Sequence, residues 1–161
     1  MKTAIIAVGS VKEKYYKEAC DAYLKRLAPI SPLEIIEIKE EYIPDERDDA
    51  SIRKALMSEG QGIISRLTPG DMVAAMTPEG DSLDSREFAF FIDQAGADYR
   101  ESRRLVFIIG GSHGLSPEVY AACHRKISFG PMTFPRQLAR LMLIEQIYRA
   151  RMIISNRTYH K

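Results

Sequence analysis

The stretch GPMTFPRQLARLMLIEQIYRA, Gly130 to Ala150, predicts a last helix whose apolar residues are not confined to one side. At 100° per residue, one side carries Leu138, Leu141, Met142, Tyr148 and Met152, and the other carries Leu143, Ile144 and Ile147. A surface helix of a small domain needs only one apolar stripe. We therefore expect this helix, which Pro135 opens, to be buried on more than one side.

Short apolar runs alternate with helical segments in the chain before this helix. Five runs have the pattern of buried strands: residues 3–8 (TAIIAV), 33–39 (LEIIEIK), 72–76 (MVAAM), 105–109 (LVFII) and 127–129 (ISF). Helical segments are expected at residues 13–28, 50–67, 84–95 and from Pro117 onwards. Such alternation predicts an α/β fold with a mostly parallel sheet and helices on both faces, in one domain spanning residues 1–161.

Local signals refine these boundaries. Asp84 with Glu87 three residues later is close to a capping box, and Ser116 before Pro117 is a plausible N-cap. The helix at 50–67 is expected to be interrupted by Gly60 and Gly62. The third strand is expected to end at the turn PEGD, directly after residues 72–76.

The composition is typical of a soluble globular protein, with 45% hydrophobic and 28% charged residues. No run approaches the roughly 20 apolar residues that a membrane span needs, and nothing resembles a secretory signal. Two cysteines without CxxC spacing favour reduced thiols in a cytoplasmic protein.

Charge is unevenly distributed along the chain. Residues 100–161 contain 11 Lys and Arg against 3 Glu, a balance of +8, while the first 99 residues carry 12 − 19 = −7. This polarity favours a negatively charged partner, such as nucleic acid, for the C-terminal part. The alternative is a set of solvated arginines that the acidic half balances in space.

Two small-residue loops follow predicted strands: Gly110-Gly111 after 105–109, and SFGPMTFP before the last helix. Neither is GxGxxG, Walker A or GxSxG, so dinucleotide binding, nucleotide hydrolysis and serine esterase chemistry lack support. His113, His124 and His160 show no metal-ligand spacing, and we expect no metal. Together with AAMTPEG after the third strand, these loops would surround one flat, partly apolar molecule at the carboxyl edge of the sheet.

The chain resembles the RlmH family, the 23S rRNA pseudouridine N3-methyltransferases of the SPOUT superfamily. The resemblance spans the whole chain and rests on IIGGSHGLS, on KISFGPMTFPRQLARLMLIEQIYRA and on the terminal YHK, in this order and spacing. It implies a C-terminal trefoil knot and a homodimer, which would explain a last helix that is apolar on two sides. Glu145 and Arg149 are then expected to form an ion pair within that helix.

The resemblance also implies a cofactor and a substrate. It assigns S-adenosylmethionine to Met76, Gly110, Phe129, Gly130, Pro131, Met132, Thr133 and Phe134. The substrate would be pseudouridine 1915 of 23S rRNA, methylated within the assembled ribosome. Arg136, Arg140 and Lys161 are the residues expected to hold the RNA.

Catalysis is expected at the C-terminal tail. The imidazole of His160 has an ordinary pKa near neutrality and is a candidate general base, and Tyr159 would stack on or hydrogen-bond the target base. Relatives commonly have His where this chain has Arg136, and a Gly-Glu-type pair near residues 156–158, where this chain has Asn-Arg-Thr. An arginine binds phosphate but does not act as a base at working pH.

Two other functions remain open at this point. One is an RNA- or ribosome-binding protein that kept the fold and lost catalysis through Arg136. The other is a regulator that binds a small molecule, which the charge of +8 in the C-terminal part disfavours.

Overall fold

The computed structural model describes residues 1–98 and 104–159. Its strands are β1 (Lys2–Val8), β2 (Leu33–Ile38), β3 (Met72–Ser82), β4 (Arg104–Ile109) and β5 (Arg125–Ser128). Its helices are α1 (Lys14–Leu27), α2 (Asp49–Ile64), α3 (Ser85–Asp98), α4 (Pro117–Ala122) and α5 (Arg136–Ile154). In the part of the chain described, no helix has the length and apolarity that crossing a bilayer demands.

The five strands form one sheet in the order β2-β1-β4-β3-β5, with every pair parallel. The central strand β4 is buried from Leu105 to Ile109, as its unbroken apolar run predicts. The predicted α/β class and parallel sheet are therefore confirmed. Because β4, β3 and β5 are neighbours, the loops that leave β4 and β5 meet the register-shifted part of β3 at one edge.

Helices cover both faces of the sheet. One face packs against α1, α3 and α5 around Phe107, Ile92 and Ile144, all at most 1% exposed. The other packs against α2 and α4 around Ile108 and Val119, which are fully buried. Alternate residues of β1, β2, β3 and β4 thus contribute to two separate apolar clusters, as the period of a strand requires.

The two helix starts predicted from the sequence are confirmed. Asp84 accepts hydrogen bonds from the backbone N–H groups of Arg86 and Glu87, both at 2.8 Å, and Glu87 accepts from the N–H of Asp84. This is a complete capping box for α3. The Ser116 hydroxyl accepts from the N–H of Val119 and caps α4.

Two boundaries differ from the sequence-based prediction. The third strand does not end at Met76 but continues to Ser82, with a register shift that pairs both Met76 and Asp81 with Ile127. Gly80 permits this path, because a Cβ there would lie 2.5 Å from the backbone N of Ile127. Helix α2 is not interrupted at its glycines. Gly60 instead allows close packing on Ser116, whose hydroxyl would lie 2.4 Å from an added Cβ.

The last helix is buried along one side and partly buried on the other, where Met152 is 5% exposed and Leu141 and Tyr148 pack against the core. Leu143, Ile144 and Ile147 are at most 1% exposed, whereas Leu138 and Met142 on the opposite side are half-buried and lie outside both apolar clusters. The predicted ion pair of Glu145 and Arg149 is present, at 2.6 Å. The trefoil knot stays a prediction.

Candidate functional site

A cavity of about 570 Å³ lies at the carboxyl edge of the sheet, between residues 76–79 at the register shift of β3 and the loops that follow β4 and β5. We call it the glycine-loop cavity. All of the residues that the resemblance assigns to cofactor binding line it except Pro131, which lies beside it in sequence. Its volume is within the range of small-molecule sites. The loops expected to surround one ligand therefore do converge.

Both glycines after β4 serve the packing of the loop itself. A Cβ on Gly110 would lie 2.4 Å from the carbonyl oxygen of Gly114, and a Cβ on Gly111 would lie 2.8 Å from Oε2 of Glu59. A side chain added at Gly110 would therefore clash within the loop. The clash is with the loop's own backbone, so a valine at Gly110 would distort the cavity wall.

Glu59 supports the glycine loop from behind. It extends from the middle of α2, is only 7% exposed, and accepts a hydrogen bond of 3.0 Å from the backbone N–H of Glu41. Burial raises the pKa of its carboxyl, and nearby Glu40 adds to the effect. Nothing in the sequence pattern of α2 singles out this residue, because its neighbours in space come from two distant loops.

In the loop after β5, Gly130 is required for a different reason. Gly130 has a φ of +112°, a conformation that L residues with a side chain rarely adopt. The Ser128 hydroxyl accepts from the N–H of Gly130 at 3.0 Å and donates to its carbonyl at 3.0 Å. No atom lies within 4 Å of an added Cβ. Backbone conformation, and not space, therefore selects glycine here.

Polar groups missed by the sequence analysis complete the cavity wall. The hydroxyls of Thr77 and Tyr120 lie 3.2 Å apart, and Thr77 also donates to Glu79. Among the described residues, Nδ1 of His113 and Nη1 of Arg136 are buried without a hydrogen-bond partner, and both residues line the cavity. Thr77 and His113 stand in the quoted loops, whereas nothing local in the sequence indicated Tyr120.

Arg136 occupies the rim of the cavity and is already paired. Its Nη2 lies 2.5 Å from Oε1 of Glu40, and both side chains are about one-third exposed, at 35% and 32%. Its Nη1 would lie 3.2 Å from a Cβ on Gly9. The guanidinium is thus reachable from solvent but shared with a carboxylate at the end of β2.

Arg140 is not placed for the expected RNA contact. It is 5% exposed, bonds Oε1 of Glu37 at 2.5 Å and donates to the carbonyl oxygen of Gly9 at 2.6 Å. These contacts tie α5 to β1 and β2. The geometry gives Arg140 a structural role, because a buried guanidinium with two strong partners cannot reach a phosphate without breaking them.

Tyr159 lies on the packed surface of α1 and α5, away from the glycine-loop cavity. Its hydroxyl donates to Oε1 of Glu145 at 3.3 Å and lies 3.4 Å from the hydroxyl of Tyr23. The hydrogen bond with Tyr23 and burial raise the pKa of Tyr159, so its phenol stays protonated at working pH. The expected stacking on a base is not what this chain's geometry favours. His160 and Lys161 lie outside the described residues.

A second groove, of about 560 Å³, adjoins the glycine-loop cavity. We call it the α5 groove. It is bordered by Tyr23 and Glu145 and shares Met76, Ser128 and Phe129 with the cavity. The two depressions therefore have a wall in common.

No cluster of three or more potential metal ligands occurs among residues 1–98 and 104–159. His124 accepts a hydrogen bond at Nδ1 from the backbone N–H of Val73, at 3.1 Å, which joins the start of β5 to β3. The imidazole of His124 therefore has a structural role in joining two strands.

The chain matches a protein-family model over residues 1–160, and that family is described as "Predicted SPOUT methyltransferase". Two similar proteins are named ribosomal RNA large subunit methyltransferase H. The one from Carboxydothermus hydrogenoformans is 47% identical, and the one from Lactococcus lactis subsp. lactis is 45% identical. Each alignment covers 100% of both chains.

A solved structure shares the fold. It is a probable methyltransferase from Bordetella pertussis Tohama I, with a TM-score of 0.51 and 14% identity, covering 92% of this chain and 93% of the other. At this identity the likeness concerns the arrangement of the strands and helices.

Proposed function

The chain belongs to the SPOUT methyltransferase family, and we propose that it methylates N3 of pseudouridine 1915 in 23S rRNA, with S-adenosylmethionine as the methyl donor. The observation that carries the proposal is the convergence of the expected cofactor residues on one cavity. The names of the similar proteins, which specify the RNA of the large ribosomal subunit, support the substrate class.

The glycine-loop cavity fits the proposed cofactor chemically. Backbone groups of Gly110 and the second lone pair of the Gly130 carbonyl oxygen are available to an adenine and a ribose, and Met76 and Phe134 offer apolar contact. The unpartnered Nη1 of Arg136 and Nδ1 of His113 are polar atoms that gain from a polar ligand. When bound, S-adenosylmethionine would supply the methyl group of its sulfonium, and sulfur would keep the electron pair of the S–C bond.

The chain's own residues would act mainly by alignment. Holding a reacting nitrogen and a methyl carbon in line can lower a barrier by several kcal/mol. The proton on N3 must also leave. Arg136 and the neutral phenol of Tyr159 are poor bases, so His160 is the proposed acceptor of that proton.

The proposed RNA contacts lie in the basic C-terminal part. Arg136 at the cavity rim and Lys161 in the tail are the proposed phosphate contacts, and Arg140 supports Arg136 only by fixing the start of α5. Each phosphate contact adds to affinity in a salt-dependent manner. An acidic first half keeps the net charge at +1 and limits binding to unrelated nucleic acid.

The active protein is proposed to be a homodimer of single-domain subunits, each spanning residues 1–161 and knotted at its C-terminal end. The half-buried Leu138 and Met142 on α5 support a contact between two copies, because apolar residues outside a subunit's core gain from burial against an identical surface. The assembled ribosome is the proposed setting of the reaction.

Calorimetric titration with S-adenosylmethionine separates this function from a non-catalytic RNA-binding protein of the same fold. Micromolar affinity at about one site per subunit supports the methyltransferase. Heats equal to those of dilution, in a protein that still binds ribosomal particles, would favour the RNA-binding alternative.

A further inference from the structure

A second depression lies at the amino edge of the sheet, on the side opposite to the glycine-loop cavity. Its volume is about 1190 Å³, and we call it the amino-edge pocket. The residues that line it include Arg151 and Ser155 at the end of α5, Lys2 and Thr3 of β1, Glu34 of β2 and Arg104 of β4. No described residue lines both this pocket and the glycine-loop cavity, so the two are separate.

Arg151 brings a poorly compensated positive charge to this pocket. Among the described residues, its guanidinium is hydrogen-bonded only to the Thr3 hydroxyl, from Nη2 at 3.0 Å, and its Nε is buried without a partner. Burial lowers the pKa of Arg151, and Asp93 on α3 opposes that effect without forming an ion pair with it. An arginine stays protonated even so. Because a buried charge without an ionised partner is costly, this guanidinium gains from an anion.

Arg104, in the same pocket, shows the contrasting case of an arginine that the protein itself neutralises. It donates to both oxygens of Asp71, at 2.8 and 3.2 Å, and to the backbone carbonyl of Arg66 at 2.8 Å. It also pairs with Glu34 at 3.3 Å. The acidic groups beside the pocket are therefore engaged by Arg104, and they leave Arg151 without a carboxylate at contact distance.

Other hydrogen-bond donors of the pocket come from different elements of the fold. Lys2 at the start of β1 is exposed, and its ammonium forms no ion pair within the part of the chain that the structure describes. The hydroxyls of Ser31, after α1, and Ser155, after α5, also line the pocket. A phosphate accepts hydrogen bonds on several oxygens at once, which suits donors that approach from several directions. Guanidinium and ammonium groups together are typical of phosphate recognition.

We propose that the amino-edge pocket binds a phosphate group, with Arg151 as the main contact and Lys2 as the second cation. The phosphate belongs either to the backbone of an RNA or to a small molecule, and the two experiments below distinguish these sources. The RNA experiment rests on the proposed function, whereas the binding of phosphate itself is independent of it.

Phosphate binding is tested by thermal unfolding of the full-length protein without RNA or cofactor, in sodium phosphate and in sodium chloride of equal ionic strength. At 50 mM phosphate, the midpoint of the wild type should rise by about 2–5 °C, as expected for a dissociation constant of about 5 mM. Arg151→Gln should lose most of this rise, and Lys2→Gln should lose part of it.

Arg53→Gln is the matched control, because Arg53 is exposed on α2 and does not line the amino-edge pocket. It removes the same charge and should keep the full rise. Phosphate also stabilises proteins in general, since it is excluded from their surface. The decisive comparison is therefore between Arg151→Gln and Arg53→Gln in the same salt.

The source of the phosphate is tested by binding titrations with large ribosomal subunits at several salt concentrations. If the phosphate belongs to RNA, Arg151→Gln should weaken binding about three- to tenfold and reduce the slope of log K against log salt by about one. An unchanged slope, in a variant that has lost its response to phosphate, would assign the pocket to a small phosphate compound. In either case the rate of methyl transfer at saturating protein should stay within about twofold of wild type, because the pocket is separate from the cavity.

Equal midpoint shifts in Arg151→Gln and Arg53→Gln would overturn the phosphate site. Should Arg151→Gln fail to fold, Lys2→Gln decides in its place, because Lys2 is exposed. An undiminished shift in Lys2→Gln would then overturn the proposal. Absence of methyl transfer by the wild type would overturn the proposed function alone, since the unfolding experiment needs neither RNA nor cofactor.

Discussion

Arg136 and Glu40 form an ion pair of 2.5 Å at the rim of the glycine-loop cavity. The pair holds the Arg136 guanidinium where the RNA is proposed to bind. The Glu40 carboxylate, however, competes with an RNA phosphate for that guanidinium. The pair is one-third exposed, so its own contribution to stability is small.

Arg136→Ala should weaken binding to ribosomal particles and reduce the slope of log K against log salt by about one, because one phosphate contact is lost. Glu40→Gln should do the opposite, strengthening binding by about two- to fivefold, because Arg136 is freed. Glu18→Gln is the control, since it also removes one negative charge, at an exposed ion pair with Lys14 on α1. Binding titrations at two or more salt concentrations measure these effects. If Glu40→Gln weakens RNA binding, the competition is disproved.

Arg136→His, which restores the residue common in relatives, should keep most of the activity. Its salt slope should lie between those of wild type and Arg136→Ala at a pH where the imidazole is partly protonated. The same titrations, with single-turnover rates beside them, make the comparison. A rate as low as that of Arg136→Ala would mean that the guanidinium is needed for turnover itself.

Gly130→Ala should weaken S-adenosylmethionine binding at least about tenfold, because the loop must leave its φ of +112° or bear about 1–3 kcal/mol of strain. Calorimetry measures the affinity, and thermal unfolding measures the stability. Gly96→Ala is the matched control, since Gly96 lies in α3 with no atom within 4 Å of an added Cβ and no positive φ. Equal cofactor affinity in both variants would remove the loop after β5 from the site.

Much of the fold could be predicted because its signals are local. Unbroken apolar runs predicted the strands, and Asp84 and Ser116 predicted two helix starts. The extension of β3 could not be predicted, because the approach of Gly80 to Ile127 exists only in the folded chain. Local sequence rules predict that PEGD is a turn that ends the strand.

The loops that line the cavity could be predicted from the sequence, whereas the partners of the charged side chains could not. The resemblance supplied the cavity residues, which converge as expected. The partners of Arg140 stand 103 and 131 positions away in sequence, so no spacing rule indicated that this arginine is buried. The contact of Tyr159 with Tyr23 spans 136 positions and could not be predicted for the same reason.

Acid should destabilise the protein partly through Asp71. Burial acts to raise the pKa of this carboxyl, but hydrogen bonds from Arg104 and Thr68 outweigh it, and the net pKa is lowered. The stabilisation is then present above the unfolded-state pKa of about 3.9 and is lost as pH falls through the lower folded-state value.

Asp71→Asn should cost about 2–3 kcal/mol at pH 7, because the side chain is 1% exposed and Arg104 loses the more buried of its two carboxylate partners. The difference from wild type in urea unfolding should shrink below about pH 4. Asp81→Asn, whose ion pair with Arg125 is exposed, should cost less than about 1 kcal/mol. A difference between wild type and Asp71→Asn that is constant from pH 2 to 7 would contradict the assignment.

Leu138→Glu should convert a dimer into a folded monomer, since Leu138 lies on the half-buried side of α5 and outside both apolar clusters. Sedimentation equilibrium should give twice the chain mass of 18.2 kDa for wild type and the single mass for the variant. Far-UV circular dichroism controls for folding. A wild-type monomer with full activity would refute the dimer.

The central claim is tested most directly by mapping the methyl group. Large ribosomal subunits that lack the modification are incubated with the protein and S-adenosylmethionine, and the digested 23S rRNA is analysed by mass spectrometry. One methyl group per subunit is expected, on N3 of pseudouridine 1915, with little transfer by Gly130→Ala. A methyl group on another nucleotide would contradict the proposed function. So would the absence of any methyl group on the RNA when the protein binds S-adenosylmethionine.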